Sequence, residues 1–234
     1  MDKLDEVKIQ KFYEEVNHVW PLNDKWHEYN QKEINKFIHQ FCFENSKILN
    51  AGSGGNDYGL INDMYHVDIA ENKIRNYKYH FVSSIEQMPF EDSSFDVVIC
   101  VGSVINYCDA MIALKEIARV LKKNGILILE FENSYSFEFK GTQAFKANAS
   151  IVTTQYFNRP HKMWVYSLKY IVNILCNNNI TIKTVYPFHI LSSFAYYYNN
   201  NENEAAKYTI FDMFCRYIPI LRKYSGNVIL LGRK

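Results

Sequence analysis

A glycine-rich turn and one carboxylate are the first residues of this sequence that together could do chemistry. The turn, residues 50–56, reads NAGSGGN and follows a short apolar run. Glycine has no side chain to collide with a ligand and tolerates positive φ, so this turn lets a ligand approach the backbone closely. Asp68 lies sixteen residues after Gly52 at the end of a second β-rich run, where a carboxylate can accept hydrogen bonds from two ribose hydroxyls. The pair predicts a site for a nucleoside cofactor.

Two classes of nucleoside cofactor fit this pattern. A nicotinamide site uses G-x-G-x-x-G, in which the third glycine lets a helix pack beneath the pyrophosphate. Here the third position holds Asp57. Its carboxylate would repel a pyrophosphate but not the cationic sulfonium of S-adenosylmethionine. The residues therefore favour a methyl donor, and an NAD(P)-dependent oxidoreductase is the less favoured alternative.

The elements that must position these residues alternate between strands and helices from Lys47 onward, which is typical of a parallel sheet covered by helices on both faces. Apolar residues at three- and four-residue steps predict a helix over 110–121 and another over 168–175, the second with Ser167 as its cap. An amphipathic helix is predicted over 205–221. The predicted strands are residues 47–50, 64–68, 79–82, 95–100, 125–131, 180–185 and 227–231.

Three further segments are expected to cover the carboxyl edge of the sheet. Residues 1–45 are predicted to form a helical cap or lid of one or two amphipathic helices on the sheet domain, residues 46–234. The segments 133–160 and 187–226 are longer than a minimal sheet needs. Long loops inside compact domains are commonly functional. We therefore expect them to form the substrate side of the domain.

Composition excludes several functional classes. The chain has 26 Lys and Arg against 25 Asp and Glu, a formal charge of +1, which excludes a strongly basic nucleic-acid binder. No apolar run reaches the roughly 20 residues of a membrane span. The start, MDKLDEVKIQ, lacks the basic and apolar regions of a secretory signal, so a cytoplasmic location is expected. The five cysteines form no C-x-x-C pair, and no metal site is predicted.

The order and spacing of the motifs resemble the class I S-adenosylmethionine-dependent methyltransferases, particularly the type 11/25-like group acting on small molecules. The resemblance is carried by "NAGSGGN", "HVDIAENKI", "SSIEQMPFEDSSFDVVICVGSVINY" and "ALKEIARVLKKNGILILEFEN". It implies a Rossmann-like α/β fold with a seven-stranded sheet of order 3-2-1-4-5-7-6, strand 7 antiparallel, helices on both faces and an N-terminal helical cap. The stretch from Gly52 to Asp68 is about one helical turn shorter than the resemblance leads us to expect, so the helix after the glycine turn is expected to be truncated.

The resemblance also implies the cofactor contacts. By position, Gly52 and Gly54 would line the methionine portion and Asp68 would hold the ribose. Three residues depart from the family pattern: Asn50 replaces a usual acid, Asn56 a frequent glycine, and Ser84 an aspartate that often faces the adenine. These departures keep open a non-catalytic or weakly active S-adenosylmethionine-binding module. The implied contacts are Asn50, Gly52, Gly54, Asp68, Ile69, Ser84, Ile85, Val101, Gly102 and Ser103.

The activity that the resemblance implies is transfer of a methyl group from S-adenosylmethionine to oxygen or nitrogen of a small molecule by in-line displacement, giving S-adenosyl-L-homocysteine. Positioning and desolvation can supply most of the acceleration, and a base near neutral pKa helps if the acceptor carries a proton. The candidate bases and pocket residues are His27, Tyr107, Glu132, His161 and His189. A nucleic-acid acceptor is not expected, because VGSVINY stands where amino-methylating DNA enzymes carry N/D-P-P-Y/W. The oligomeric state stays open.

Overall fold

Seven strands form one mixed sheet, in the order β3-β2-β1-β4-β5-β9-β8, in a computed structural model that describes residues 4–41, 43–60 and 63–234. Strands β1 to β5 run parallel to one another, and β9 lies between β5 and β8, antiparallel to both. The predicted order is confirmed, with β8 and β9 as the predicted strands six and seven. The strands of this sheet are β1 (Ile48–Ala51), β2 (Met64–Asp68), β3 (Tyr79–Val82), β4 (Phe95–Cys100), β5 (Leu121–Glu132), β8 (Thr181–Phe188) and β9 (Asn227–Arg233).

The longer helices begin at side chains that satisfy free backbone N–H groups. Asp24 accepts from the N–H groups of Trp26 and His27 at the start of α2, and Ser167 caps α5 as predicted, accepting from Tyr170 N–H. The predicted helix over 110–121 is α4, which ends at Val120. The helices are α1 (Glu6–Glu15), α2 (Lys25–Ile38), α3 (Glu71–Ile74), α4 (Ala110–Val120), α5 (Leu168–Asn177), α6 (Leu191–Asn199), α7 (Glu202–Ala205), α8 (Asp212–Cys215) and α9 (Pro219–Arg222).

Helices cover both faces of the sheet because successive strand residues point to opposite sides. On one face, Val98 of β4 packs in a buried cluster with Leu114 of α4 and Ile171 of α5. On the other, Ile99 of β4 packs with Phe37 of α2. Each face of the central strands is thereby buried, and the carboxyl ends of the strands stay free to carry a site.

A second sheet, of two strands, begins inside the predicted segment 133–160 and extends past its end. It consists of β6 (Ala149–Tyr156) and β7 (Arg159–Tyr166), paired antiparallel. The connecting residues Phe157 and Asn158 both have positive φ, 50° and 57°, as a two-residue hairpin turn of the right twist requires. The prediction missed this hairpin because Phe-Asn is not one of the glycine-containing pairs that mark such turns in a sequence.

Two helix predictions are wrong. The helix predicted over 205–221 is divided between the end of α7, a 3₁₀ helix (Ala206–Phe211), α8 and α9. One cause is Pro219, which has no N–H to continue a helix. The helical stretch predicted after the glycine turn is absent from residues 52–60, because Gly55, Tyr58 and Gly59 have positive φ, which a right-handed helix excludes.

Parts of the predictions fall outside the described residues: the first three residues and Cys42 of the predicted cap, and Ile61 and Asn62 of the stretch after the glycine turn. Among the helices described, none is both long and apolar enough to cross a membrane.

Candidate cofactor and acceptor site

A cavity opens at the carboxyl ends of β1, β2 and β4, where parallel sheets bind ligands. Its empty volume is about 900 Å³, a figure that includes the part open to solvent. We call it the donor cavity. Eight of the ten residues predicted to contact the cofactor line it: Gly52, Gly54, Asp68, Ile69, Ser84, Ile85, Val101 and Gly102.

The other two predicted contacts lie elsewhere. Asn50 is fully buried, and its Nδ2 donates to the carbonyl of Asn56 across 2.6 Å, so it braces the glycine turn from beneath. Ser103 lines a neighbouring cavity instead. The structure therefore places Asn50 off the wall of the donor cavity.

Asp68 ties the end of β2 to the glycine turn. Its Oδ2 accepts from the N–H of Gly54 across 2.7 Å, and its Oδ1 accepts from the N–H of Ala70 across 2.9 Å. Burial raises the pKa of this carboxyl, and the backbone hydrogen bonds oppose that rise. Each carboxylate oxygen has a second lone pair, so Asp68 can still accept hydrogen bonds from two hydroxyl groups in the cavity.

The glycine turn has a second support, from the side of β2 and β3. Ser53 Oγ lies 2.7 Å from His66 Nδ1, and the His66 ring stacks on Tyr77 with centroids 3.8 Å apart. Tyr77 in turn donates its hydroxyl to the carbonyl of Gly55 across 2.6 Å. Burial lowers the pKa of His66 to about 4, which keeps the ring neutral at pH 7. Both ends of the turn are thus fixed before a ligand binds.

Glu130 holds the turn after β4. This residue is only 1% exposed, and its carboxylate accepts from Gly102 N–H at 2.9 Å, Ser103 N–H at 2.6 Å and Asn227 Nδ2 at 2.7 Å. Burial raises its pKa, and these three bonds oppose the rise. Sequence reasoning missed Glu130. The available signal was an acid inside the apolar run ILILEF, since buried carboxylates need dedicated partners.

The N-terminal segment covers the donor cavity. From α1, Gln10 Nε2 donates to the carbonyl of Ile69 across 2.8 Å. On α3, Asn72 donates to Glu14 O at 2.7 Å and Lys73 Nζ donates to Val16 O. On the other side, the hydroxyl of Tyr156 in β6 donates to Val19 O. Residues 6–20 are therefore fastened between α3 and the β6–β7 hairpin.

A second cavity adjoins the first, with an empty volume of about 620 Å³ that includes its solvent-open part. We call it the acceptor cavity. Three carboxylates line it, Glu132 at the end of β5, Glu138 and Glu202, and no Lys or Arg is among the described residues on its wall. The residues common to both cavities are Tyr13, Trp20, Gly102, Tyr107 and Tyr156.

Three of the five candidate catalytic residues, His27, Tyr107 and Glu132, line the acceptor cavity. His161 lies behind its wall, with its ring 5.1 Å from that of Tyr107. His189 is fully buried: its ring nitrogens are 2.8 Å from Ser192 Oγ and from Asn30 Oδ1, and burial holds its pKa well below the usual range. Neither His161 nor His189 is among the described residues that line the donor cavity or the acceptor cavity.

One group of side chains has the composition of a metal site, although none was predicted. Within the described part of the chain, single ligand atoms of Asp24, His27 and Glu202 lie within 4.8 Å of one another. Asp24 already accepts two backbone N–H groups as the cap of α2. His27 Nδ1 lies 3.1 Å from Asp24 Oδ1. The group is explained in part by helix capping.

Comparison with known proteins supports one class. Residues 49–129 match the sequence profile of a family described as "Methyltransferase domain". An uncharacterized protein of Methanocaldococcus jannaschii is 35% identical over 105 residues, covering 45% of this chain and 39% of the relative. The ubiquinone/menaquinone biosynthesis C-methyltransferase UbiE of Rickettsia typhi is 33% identical over 122 residues, 42% of this chain and 49% of the relative. The match thus spans less than half the length of either relative.

Solved structures share the fold at low identity. The [4+2]-cyclase SpnF superposes with a TM-score of 0.64 at 14% identity, covering 100% of this chain and 97% of that one. The 1,6-didemethyltoxoflavin-N1-methyltransferase of Burkholderia thailandensis, solved with S-adenosylhomocysteine, gives a TM-score of 0.53 at 9% identity, covering 88% and 78%. The profile match over residues 49–129 and the shared fold are those of the class I S-adenosylmethionine-dependent methyltransferases. Both the resemblance and the methyl donor inferred from the sequence are confirmed.

Proposed function

We propose that this domain transfers a methyl group from S-adenosylmethionine to oxygen or nitrogen of a small molecule. The observation that carries the proposal is the adjoining pair of cavities. The glycine turn and Asp68 line one, titratable side chains line the other, and five residues form a wall common to both. A donor and an acceptor bound on the two sides of that wall are held next to each other, which is the main requirement of an in-line displacement.

The residues of the donor cavity fit this cofactor. Asp68 offers carboxylate oxygens for ribose hydroxyls. Position 52 has no room for a side chain, because a Cβ on Gly52 would lie 2.2 Å from Val104 Cγ1. Asp57 near the turn disfavours a pyrophosphate and therefore a nicotinamide dinucleotide. When bound, S-adenosylmethionine supplies a methyl carbon on a sulfonium: the acceptor's lone pair forms the bond to carbon while the carbon–sulfur pair returns to sulfur.

The chain's own residues contribute exclusion of water and a proton acceptor. The rings of Tyr13, Trp20 and Tyr107 form part of the common wall. Apolar rings exclude water, which lowers the local dielectric constant and strengthens charge interactions. Burial, together with the nearby carboxylates Glu138 and Glu130, raises the pKa of Glu132 well above its usual range. A carboxylate with a raised pKa is a stronger base, so Glu132 is the residue we assign to remove a proton from the acceptor.

The polar acceptor cavity supports oxygen or nitrogen over carbon as the methylated atom, although the Rickettsia relative is named a C-methyltransferase. The lack of Lys or Arg among its described wall residues supports a small-molecule acceptor rather than a nucleic acid, whose phosphates need cations. We also propose a cytoplasmic location.

Calorimetric titration with S-adenosylhomocysteine, with NADH as the parallel control, tests the proposal. We expect micromolar binding to the first alone, about −8 kcal/mol. Binding to neither, or to NADH alone, contradicts the assignment. A tritium-transfer assay from labelled S-adenosylmethionine over an acceptor panel then separates an active enzyme from a non-catalytic binding module, the alternative kept open by Asn50 and Ser84.

A further inference from the structure

We propose that the acceptor is a small amine that binds as a cation, held by Glu132, Glu138 and Glu202 within the aromatic wall of the acceptor cavity. The inference rests on the proposed function and names the substrate class of the same site. It does not follow from the family or the fold, since these three side chains lie at the end of β5 and in the long segments 133–160 and 187–226.

The charge of the acceptor cavity is one-sided. Three carboxylates line it, and no Lys or Arg is among the described residues of its wall. Two basic side chains of the segment 187–226 form ion pairs with other acids: Arg216 with Glu33 at 3.0 Å and Lys207 with Glu204 at 2.6 Å. Glu132 and Glu138 have neutral hydrogen-bond partners: Ser103 Oγ lies 3.2 Å from Glu132 Oε1, and Ser136 Oγ lies 2.8 Å from Glu138 Oε1. Glu202 lies beside His27 and Asp24.

Uncompensated carboxylates of this kind are costly to ionise. Burial raises the pKa of Glu138 to about 7, and burial also raises the pKa of Glu202. Neighbouring carboxylates add to the rise at Glu132. A bound cation would offset both desolvation and mutual repulsion. A neutral or anionic ligand of the same shape would not.

Aromatic rings complete the surroundings of a cation. Trp20 and Tyr156 line the cavity, and their rings lie 5.9 Å and 5.4 Å from that of His27. Tyr13 and Tyr107, which line both cavities, pack edge to face with centroids 5.8 Å apart. Rings around a carboxylate-lined space attract ammonium groups through their negative faces. The combination selects charge without requiring a particular carbon skeleton.

The position of Glu132 connects binding with chemistry. Its backbone N–H donates to Asn106 Oδ1 across 3.0 Å, and the buried Asn106 fixes the end of β5 next to the turn that Glu130 holds. An ammonium nitrogen has no lone pair until it loses a proton. Transfer of that proton to the Glu132 carboxylate leaves a neutral amine, whose lone pair can then attack, and a neutral carboxylic acid.

The test measures binding to the S-adenosylhomocysteine-loaded protein, by quenching of the fluorescence of Trp20 and Trp26 and by calorimetry. The probes are ethanolamine, 1,4-diaminobutane, spermidine, histamine and 2-phenylethylamine, each paired with a neutral analogue in which hydroxyl replaces amine. We expect at least one amine to bind tenfold or more tightly than its analogue. If no amine exceeds its neutral analogue while S-adenosylhomocysteine binds normally, the inference is overturned and the proposed function stands.

Isosteric variants assign the effect to the cavity. Each of the variants E132Q, E138Q and E202Q should lower the affinity for the preferred amine at least tenfold. The affinity for S-adenosylhomocysteine should change less than threefold. E91Q, at an exposed carboxylate away from both cavities, is the matched control. Equal amine affinity in all four variants contradicts the assignment. Choline, a permanently charged probe, must also bind more weakly to the E132Q, E138Q and E202Q variants than to wild type.

A divalent cation is the competing occupant, because Glu202 also belongs to the Asp24–His27–Glu202 group. Titrations are therefore repeated after EDTA treatment and again with Mg²⁺, Mn²⁺ or Zn²⁺. Amine binding that survives EDTA supports the inference. Amine binding that requires a metal, or carboxylates that bind metal alone, overturns it.

Discussion

Asp68 Oδ2 lies 2.7 Å from the backbone nitrogen of Gly54, so the carboxylate proposed to hold the ribose and the turn proposed to hold the methionine portion form one hydrogen-bonded unit. Asp68 Oδ1 extends the unit to Ala70, just before α3. A substitution at Asp68 therefore acts on donor binding in two ways. It removes the acceptor for the ligand, and it leaves two backbone N–H groups without their partner.

The first prediction concerns that unit. Asp68→Ala should lower the affinity for S-adenosylhomocysteine at least tenfold, a loss of about 1.4 kcal/mol in binding free energy, because it deletes a buried acceptor of ligand hydrogen bonds. Asp68→Asn, which keeps one oxygen for Gly54, should lose less. Asp63→Asn, at the exposed far end of β2, is the control. Unchanged affinity in Asp68→Ala, measured by calorimetry, would remove the cofactor assignment.

The second prediction concerns Glu130. In Glu130→Gln an amide NH₂ must face either the N–H groups of Gly102 and Ser103 or the Nδ2 group of Asn227, since all of these are donors. We expect a loss of about 1–3 kcal/mol in stability, as for a buried polar group left unpaired, and weaker S-adenosylhomocysteine binding. Thermal melts and calorimetry measure both. A wild-type melting temperature would mean that the turn is held by other contacts.

The third prediction separates backbone strain from a steric clash. Gly52 has φ +73°, and a Cβ there would meet Val104 Cγ1 at 2.2 Å, whereas Gly59, with φ +65°, has nothing within 4 Å of such a Cβ. Both alanine variants carry the strain of positive φ, about 1–2 kcal/mol. Only Gly52→Ala also displaces the cavity wall at Val104. It alone should therefore lower the affinity for S-adenosylhomocysteine more than tenfold. Equal affinities in the two variants would refute this.

The fourth prediction concerns pH. Burial raises the pKa of Glu138 from 4.5 to about 7, so the folded protein holds this proton more tightly than the unfolded chain does. Its contribution to stability is complete below about pH 4.5 and is lost as the pH rises toward and beyond 7. When the pH rises from 5 to 8, wild type should therefore lose about 1–3 kcal/mol of stability relative to Glu138→Gln, which carries no titratable group at this position.

Paired melts of wild type and Glu138→Gln at those two pH values measure the effect, and Glu91→Gln is the control at an exposed carboxylate. A difference between wild type and Glu138→Gln that does not change with pH would show that Glu138 is ionised normally in the folded protein.

The strands and the donor cavity were predictable because their signals are local. A strand is marked by a short β-rich run, and the glycine turn and Asp68 follow directly from the ends of β1 and β2. In parallel strands those ends meet at one edge, so two sequence motifs sufficed to place them together. The resemblance to the methyltransferases implied that Ile85 and Val101 belong to the site, and the structure has both on the cavity wall.

The remainder depends on contacts between distant residues. Glu130 owes its role in part to Asn227, 97 residues away, and nothing local to either residue indicates that pairing. Asp212 fell in the helix predicted over 205–221, yet its Oδ1 accepts the N–H groups of Ile190 and Leu191 at the start of α6. The apolar periodicity of that segment was genuine, but tertiary hydrogen bonds and Pro219 divided it.

The wall shared by the two cavities leads us to expect that donor and acceptor affinities depend on each other. Tyr13 and Tyr107 pack against each other and face both sides, so a ligand that orders these rings from one side prepares the surface met by a ligand on the other. Thermodynamic linkage requires such an effect to be reciprocal: whatever factor the donor adds to acceptor affinity, the acceptor returns to the donor. We therefore expect donor and acceptor to bind to this domain cooperatively.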